Sequence, residues 1–179
     1  MIEWRRATPR DRLLVQAYNC AEPGGQYFDR LRRQKAHTEP WAEEVQKGLR
    51  KWSFRVAGAE MWLGFEGSEL VSAGAYSQAG ERQDSEDEFV IDYVSCAYEW
   101  RGRHLGDQCM GQLLADISDR TDYREGVGLF AYVHEENDSS KKLFQRFGFE
   151  CESIQRVPIR EGSGKKRLGS NYGRWVAQL

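Results

Sequence analysis

Residues 93–106 read Tyr-Val-Ser-Cys-Ala-Tyr-Glu-Trp-Arg-Gly-Arg-His-Leu-Gly, and the apolar residues Leu105, Cys109, Leu113 and Ile117 recur at every fourth position. The apolar run from Phe89 to Ala97 predicts a strand, and the four-residue period predicts an amphipathic helix. The segment from Arg101 to Gly106 is then a strand-to-helix turn. Successive backbone N–H groups at such a turn, backed by the positive end of a helix, form a nest suited to a pyrophosphate. Arg and His side chains would reinforce it. A plain connector can carry the same residues, so the turn alone does not decide the function.

Working outward, the pattern predicts an α/β domain. Residues 2–7 read as a short strand, and Thr8-Pro9 supplies an N-cap and first-turn proline for a helix reaching about Asn19. AEPGG at 21–25 reads as a loop, and Tyr27, Phe28 and Leu31 as a second helical region. After Pro40, Trp41, Val45, Leu49 and Trp52 form one apolar helical face. Met61 to Phe65 and Leu70 to Tyr76 read as strands joined by a tight Gly67-Ser68 turn, with glycine first. GERQDSEDE (80–88) reads as an exposed acidic loop. Val127 to Val133 is a further strand, followed by a short helix that ends at Phe147-Gly148-Phe149. There the glycine suits a left-handed position and Phe149 can fold back on the helix. Two last strands, near 150–159 and 170–178, flank the basic tip EGSGKKR. The central sheet is expected to be mixed and mostly antiparallel, flanked by helices, with a parallel pair where a helix joins strands 89–97 and 127–133.

The chain has 179 residues and six Trp, eight Tyr and eight Phe, too aromatic for a disordered segment. It reads as one domain over 1–179, long enough to bury roughly 70% of its unfolded surface without a disulfide or metal staple. No apolar stretch approaches the roughly 20 residues of a membrane span. The start, MIEWRRATPRDR, lacks a signal-peptide core, so the cytoplasm is the expected compartment. The net charge of −2 argues against a dedicated nucleic-acid binder. The basic residues between Asp29 and Arg55 read as solvated helix faces. Cys20, Cys96, Cys109 and Cys151 form no CxxC and read as free thiols.

A second stretch, Asn137-Asp-Ser-Ser-Lys-Lys-Leu-Phe-Gln-Arg-Phe-Gly-Phe149, follows the next strand. Together the two segments resemble the GCN5-related N-acetyltransferase (GNAT) family. Arg101-Gly102-Arg103-His104-Leu105-Gly106 matches its acyl-CoA loop, Q/R-x-x-G-x-G/A. Asn137 to Phe149 matches N-x-x-[A/S]-x-x-L-[Y/F]-x-[K/R]-x-G-F, with Ser140 and Phe144 at fixed places. The match is specific over about 88–150; upstream it rests on element order.

The resemblance implies a GNAT-like fold with a V-shaped splay between the strands near 89–97 and 127–133, and acetyl-CoA as co-substrate, with no metal. The pantetheine arm would pair with the backbone of Val94, Ser95 and Cys96. The pyrophosphate would sit on the amides of Arg101, Gly102, Arg103, His104, Leu105, Gly106 and Asp107. Asn137 would hold the arm from the other side, with Ser140 and Phe144 on the adjoining helix. The reaction would be direct attack of a primary amine, in a small molecule or a peptide, on the thioester. Nucleic acid and membrane are not expected as partners, and either a monomer or a homodimer is compatible.

This chain departs from the family pattern at two places. His104 stands where the loop pattern has its first glycine; a positive φ there would cost about 1 kcal/mol. Phe144 stands where many members have a tyrosine that protonates the leaving thiolate. Tyr132 is a candidate substitute, with a half-buried sheet aromatic as the plain alternative. For a base, Glu88, Val90, Asp92, Val94 and Cys96 share a strand face unless a bulge intervenes. Asp92 is the carboxylate in its middle, among apolar neighbours that would raise its pKa. A hydrogen-bonded strand aspartate is the alternative. The family's catalytic glutamate can lie two residues earlier, where Val90 stands. The amide of Cys96 is the candidate oxyanion donor.

His134-Glu135-Glu136-Asn137 lacks the second histidine of HExxH, and Gly162-Ser-Gly-Lys-Lys lacks the first glycine of a P-loop. Two other function classes stay open. A non-catalytic acyl-CoA-binding module would explain Phe144 and His104. A transferase acting on aminoacyl-tRNA would explain the basic 29–55 region.

Overall fold

The computed structural model describes residues 1–22, 27–29, 34–36, 39–78, 88–120, 128–160 and 166–178, with the backbone alone at 27–29, 34–36, 157–160 and 166–170. Leu31, the acidic loop before Glu88 and the centre of the basic tip lie outside the described residues, as do 23–25 of the first loop and Val127.

Seven strands form one sheet in the order β1 (Glu3–Arg6), β4 (Ala59–Glu66), β5 (Glu69–Gln78), β6 (Glu88–Cys96), β7 (Gly128–His134), β9 (Lys166–Gln178) and β8 (Glu150–Arg160). Every neighbouring pair is antiparallel except β6 and β7, which are parallel. That pair extends only over Glu88↔Gly128, Phe89↔Leu129 and Val90↔Phe130. Beyond Val90 the strands part, as the resemblance implied.

One face of the sheet packs on α3 (Leu105–Ser118) and α4 (Asp138–Arg146). Met110, Leu113, Ile117, Leu143 and Phe144 meet Tyr76, Phe89, Ile91, Leu129 and Val133 there. The other face packs on α1 (Arg12–Ala17) and α2 (Pro40–Arg50), where Val15 and Leu49 meet Met61, Leu63, Ala73 and Ala75. Gly74 lies between β5 and α3, where an added Cβ would come within 2.4 Å of Cys109 Sγ. The predicted first helix is shorter than its pattern: a 3₁₀ turn (Pro9–Asp11) precedes α1, and the chain is extended at Tyr18.

The predicted helical region around Tyr27 and Phe28 is instead strand. β2 (Tyr27–Asp29) pairs antiparallel with β3 (Gln34–Ala36) as a separate hairpin. Aromatic residues favour extended backbone, and three apolar residues spread over five positions are too few to hold a helix. The turns follow their residues. Gly67 alone of the two central turn residues has positive φ, 59°, between the paired Glu66 and Glu69. Gly148 has φ 79°, its N–H donates to Gln145 O, and Phe149 N–H donates to Phe144 O. Phe149 then stands edge-on to Phe144 at 5.0 Å. This is the double bond and apolar contact of a Schellman stop.

Among the described residues, no helix is long and apolar enough to cross a membrane. Four elements meet at Asp116, buried in the middle of α3. Its carboxylate accepts from Trp62 Nε1 and Tyr76 Oη, each at 2.8 Å, and from the Arg6 guanidinium. Burial opposes the charge, but the bonds from Trp62, Arg6 and Tyr76 outweigh it and hold the carboxyl below its ordinary pKa. Asp116→Ala would leave the buried Tyr76 hydroxyl and the half-buried Trp62 N–H without their acceptor and the half-exposed Arg6 without its partner. We expect it to cost about 2–4 kcal/mol of unfolding free energy in urea titration.

Candidate functional site

β6 carries a bulge that the sequence does not announce. Tyr93 pairs with Ala75 while Ile91 pairs with Tyr76, so Asp92 is the extra residue. Phe89 and Ile91 point to the α3/α4 face, and after the bulge Val94 packs on the same cluster. Tyr93 turns to the other face, against Trp52 and α2. The expected common face of Glu88, Val90, Asp92, Val94 and Cys96 is therefore broken at its middle: alternation is lost where one residue is inserted. Asp92 sits where the strands part. Its Oδ2 is buried and has no hydrogen-bond partner among the described residues. Burial raises its pKa to about 6, against a smaller opposing effect of the Ser77 side chain.

The ladder phase decides which backbone groups reach the gap. Ala97 N–H donates to Val71 O at 2.8 Å. Antiparallel alternation then gives Ser95, opposite Ala73, the same bonded position. The N–H and C=O groups of Val94 and Cys96 consequently turn away from β5, towards a side where β7 no longer pairs. Ser95 also lines the gap, while its polar atoms are held on β5: its carbonyl accepts from Ser72 Oγ at 2.7 Å, and its Oγ donates to Ala73 O at 2.8 Å. Burial pushes the Cys96 thiol up, only partly offset by Arg101.

The turn after β6 enters α3 through two residues of positive φ. Gly102 has φ 79° and His104 has φ 58°, ψ 22°, so the histidine does occupy left-handed backbone. The first helical bond runs from Gln108 N–H to His104 O, which leaves the amides of Leu105, Gly106 and Asp107 at the open end of α3. Gly106 backs onto Leu143, and the Leu105 side chain is buried in the core. Two side chains in the turn are already engaged. Arg101 donates to Cys20 O at 2.8 Å and lies 3.5 Å from a Glu39 carboxylate oxygen, so it clamps the N-terminal segment. Arg103 lies over the Trp100 ring at 4.4 Å. The Asp107 carboxylate, which would oppose an anion, is neutralised by Arg146 at 2.7 Å. The His104 side chain is 86% exposed, with Nδ1 3.5 Å from Asp107.

Across the gap, Asn137 caps α4: its Oδ1 accepts Ser140 N–H at 3.0 Å, leaving Nδ2 to donate elsewhere. A cavity of about 490 Å³ runs between this cap and Val94, Cys96, Arg101 and Gly102. A second, of about 270 Å³, continues from it past Asp92, Phe144 and Tyr132. Tyr132 is 41% exposed and edge-on to Phe130. Trp41, Glu44, His134 and Tyr172 also line this second cavity. None of the four was a candidate from sequence. Trp41 belongs to the apolar helical stripe expected after Pro40, and His134 was weighed only as a metal ligand. The one usable signal was the placement of Glu44 beside Trp41 and Val45 on that stripe. No group of three or more His, Cys, Asp or Glu side chains converges as a metal site among the described residues.

The model of the Acetyltransferase (GNAT) family matches residues 26–149. Among solved structures, the fold is similar to a GNAT acetyltransferase from Streptococcus pneumoniae, with TM-score 0.66, 18% identity and complete coverage of both chains. It is also similar to the ribosomal-protein-S18-alanine N-acetyltransferase of Escherichia coli (0.64, 13%, 99% of this chain and 94% of that one). A GNAT acetyltransferase from Elizabethkingia anophelis with acetyl-CoA bound also matches (0.56, 14%, 99% and 98%). No curated protein matches the sequence.

Two outcomes follow from the turn. His104→Gly removes a side chain from left-handed backbone and should raise unfolding free energy by about 0.5–1 kcal/mol, whereas His104→Val should lower it. Arg146→Ala frees the Asp107 charge beside the nest and should weaken CoA binding by about threefold to tenfold, more at low salt than at high, in calorimetric titration.

Proposed function

The chain belongs to the acetyltransferase (GNAT) family, and from that premise we propose that it transfers the acetyl group of acetyl-CoA to a primary amine by direct attack. The observation that carries this reading is the free stretch of β6. The backbone groups of Val94 and Cys96 face a gap lined by Arg101 and Gly102, and the turn that begins there opens directly into the N-terminus of α3. That combination suits an extended amide-containing arm terminating in a diphosphate, since the arm can pair as a strand and the diphosphate can cap the helix. Asn137 Nδ2 is placed to donate to the arm from the opposite wall. Acetyl-CoA supplies the activated acyl carbon as a thioester.

Asp92 is the base in this reading. An ammonium group of pKa near 10 must lose a proton before it can attack. Asp92, unpartnered at Oδ2 and with a pKa of about 6, is ionised at pH 7 and still basic enough to take that proton. The amine nitrogen then forms a bond to the acyl carbon, the Cys96 N–H stabilises the developing oxyanion, and the C–S bond breaks with its electron pair leaving on sulfur. The second nitrogen proton is released as the amide forms. Phe144 has no hydroxyl to give the thiolate a proton. Tyr132 lines the cavity and is the phenol assigned that part; a thiol of pKa about 8.5 leaves acceptably without help.

Purified protein should release CoA thiol from acetyl-CoA only when an amine is added; amine-independent binding without release would instead identify a non-catalytic acyl-CoA module. For the wild type, kcat should rise with pH through about 6, where Asp92 ionises. Asp92→Asn should lower kcat by about 10²-fold and remove that inflection. The same variant should gain stability. The folded pKa of Asp92 lies above its ordinary 3.8, so the wild type is favoured below that value and loses stability as pH rises through about 6. Asp92→Asn should therefore be more stable by about 1–3 kcal/mol at pH 8, an advantage that shrinks towards pH 4.

A further inference from the structure

The second cavity, which Asp92 lines, has a character of its own. Trp41 and Glu44, one turn apart on α2, face Tyr132 and His134 of β7 and Tyr172 of β9 across it. The Trp41 and His134 ring centroids are 4.9 Å apart, and Tyr172 meets His134 edge-on at 5.2 Å. The Tyr172 hydroxyl donates to the Glu44 carboxylate. Burial and the adjacent Glu44 push that phenol's pKa up, so it remains a neutral donor.

The charge balance here is one-sided. The described lining residues include two carboxylates, Asp92 and Glu44, and neither lysine nor arginine. Arg174, opposite Tyr132 on β9, is the arginine closest in register. Its guanidinium lies over the Phe130 ring and is paired with Glu152 at 2.5 Å and Glu88 at 3.3 Å. It does not offset the two carboxylates of the cavity.

We propose that this cavity holds a subsite for a second ammonium group, so that the acceptor is a diamine: one nitrogen lies at Asp92 and is acylated, while the other rests against Glu44 and the rings of Trp41 and Tyr172. The inference rests on the acyl-transfer reading for which nitrogen reacts. Two carboxylates on different elements, α2 and β6, lining one aromatic-walled cavity suit two charges joined by an alkyl chain. The aromatic faces attract the cation, and the cavity covers the methylenes between. A monoamine would engage Asp92 and leave Glu44 unused.

The test is calorimetric titration of wild-type and Glu44→Gln protein, each saturated with CoA, with n-alkylamines and α,ω-diaminoalkanes of matched length. Thiol release from acetyl-CoA is measured in parallel. In the wild type the diamines should bind about threefold to tenfold more tightly than the monoamines. Glu44→Gln keeps an acceptor for Tyr172 and should bring the two series together. Equal affinities in the wild type, or an undiminished preference in the variant, would overturn the subsite. Preferential diamine binding without thiol release would overturn the acyl-transfer reading and leave the subsite standing.

Discussion

The constraint on which this molecule turns is the early end of hydrogen bonding between β6 and β7. After the pair Val90↔Phe130 the two strands diverge, and each finds its other partner elsewhere: β6 in β5, β7 in β9. A buried backbone edge left unpaired is costly unless a partner or water satisfies it. Here the cost is concentrated at Val94 and Cys96, in the wall of a cavity that the N-terminal cap of α4 also lines. The sheet is incomplete in the way an extended ligand would complete it. The helices packed on its two faces keep the gap from closing, with α3 fixed to three strands through Asp116.

The bulge and the fork act together. Inserting Asp92 changes which side chains face α2 and which face α4, and it does so at the point where the strands separate. Without it, Tyr93 would not reach Trp52 and the face of α2 at Gly48, where an added Cβ would lie 2.3 Å from the Tyr93 hydroxyl. The same insertion puts a carboxylate oxygen in a dry position. Its raised pKa and its lack of a partner among the described residues are two expressions of one placement.

Much of this was legible in the residues, and what was not has identifiable causes. The four-residue period from Leu105 to Ile117, the Gly67-Ser68 turn and the Gly148-Phe149 stop are local patterns, and each formed as its chemistry required. So did the turn from Arg101 to Gly106. The bulge was not legible because no glycine or proline marks it; it is a matter of register between two strands. The hairpin at 27–36 was misread because short apolar groupings do not distinguish helix from strand. Trp41 and Val45 were legible as an apolar face but not as a cavity lining, since a helical stripe does not say whether it meets side chains or open space. The pairing of Asp107 with Arg146 was not legible either, because the two come from different helices.

Asn137 holds a last consequence. An amide side chain can usually rotate to exchange its oxygen and nitrogen, and so can read either polarity in a ligand. In this chain the oxygen is committed to closing the first turn of α4. The side chain is thereby made directional: towards the cleft it offers hydrogen and never a lone pair. A wall built this way accepts carbonyls and turns away amide N–H groups. An extended ligand in the gap would therefore meet, at this wall, a donor whose polarity is fixed by a helix cap.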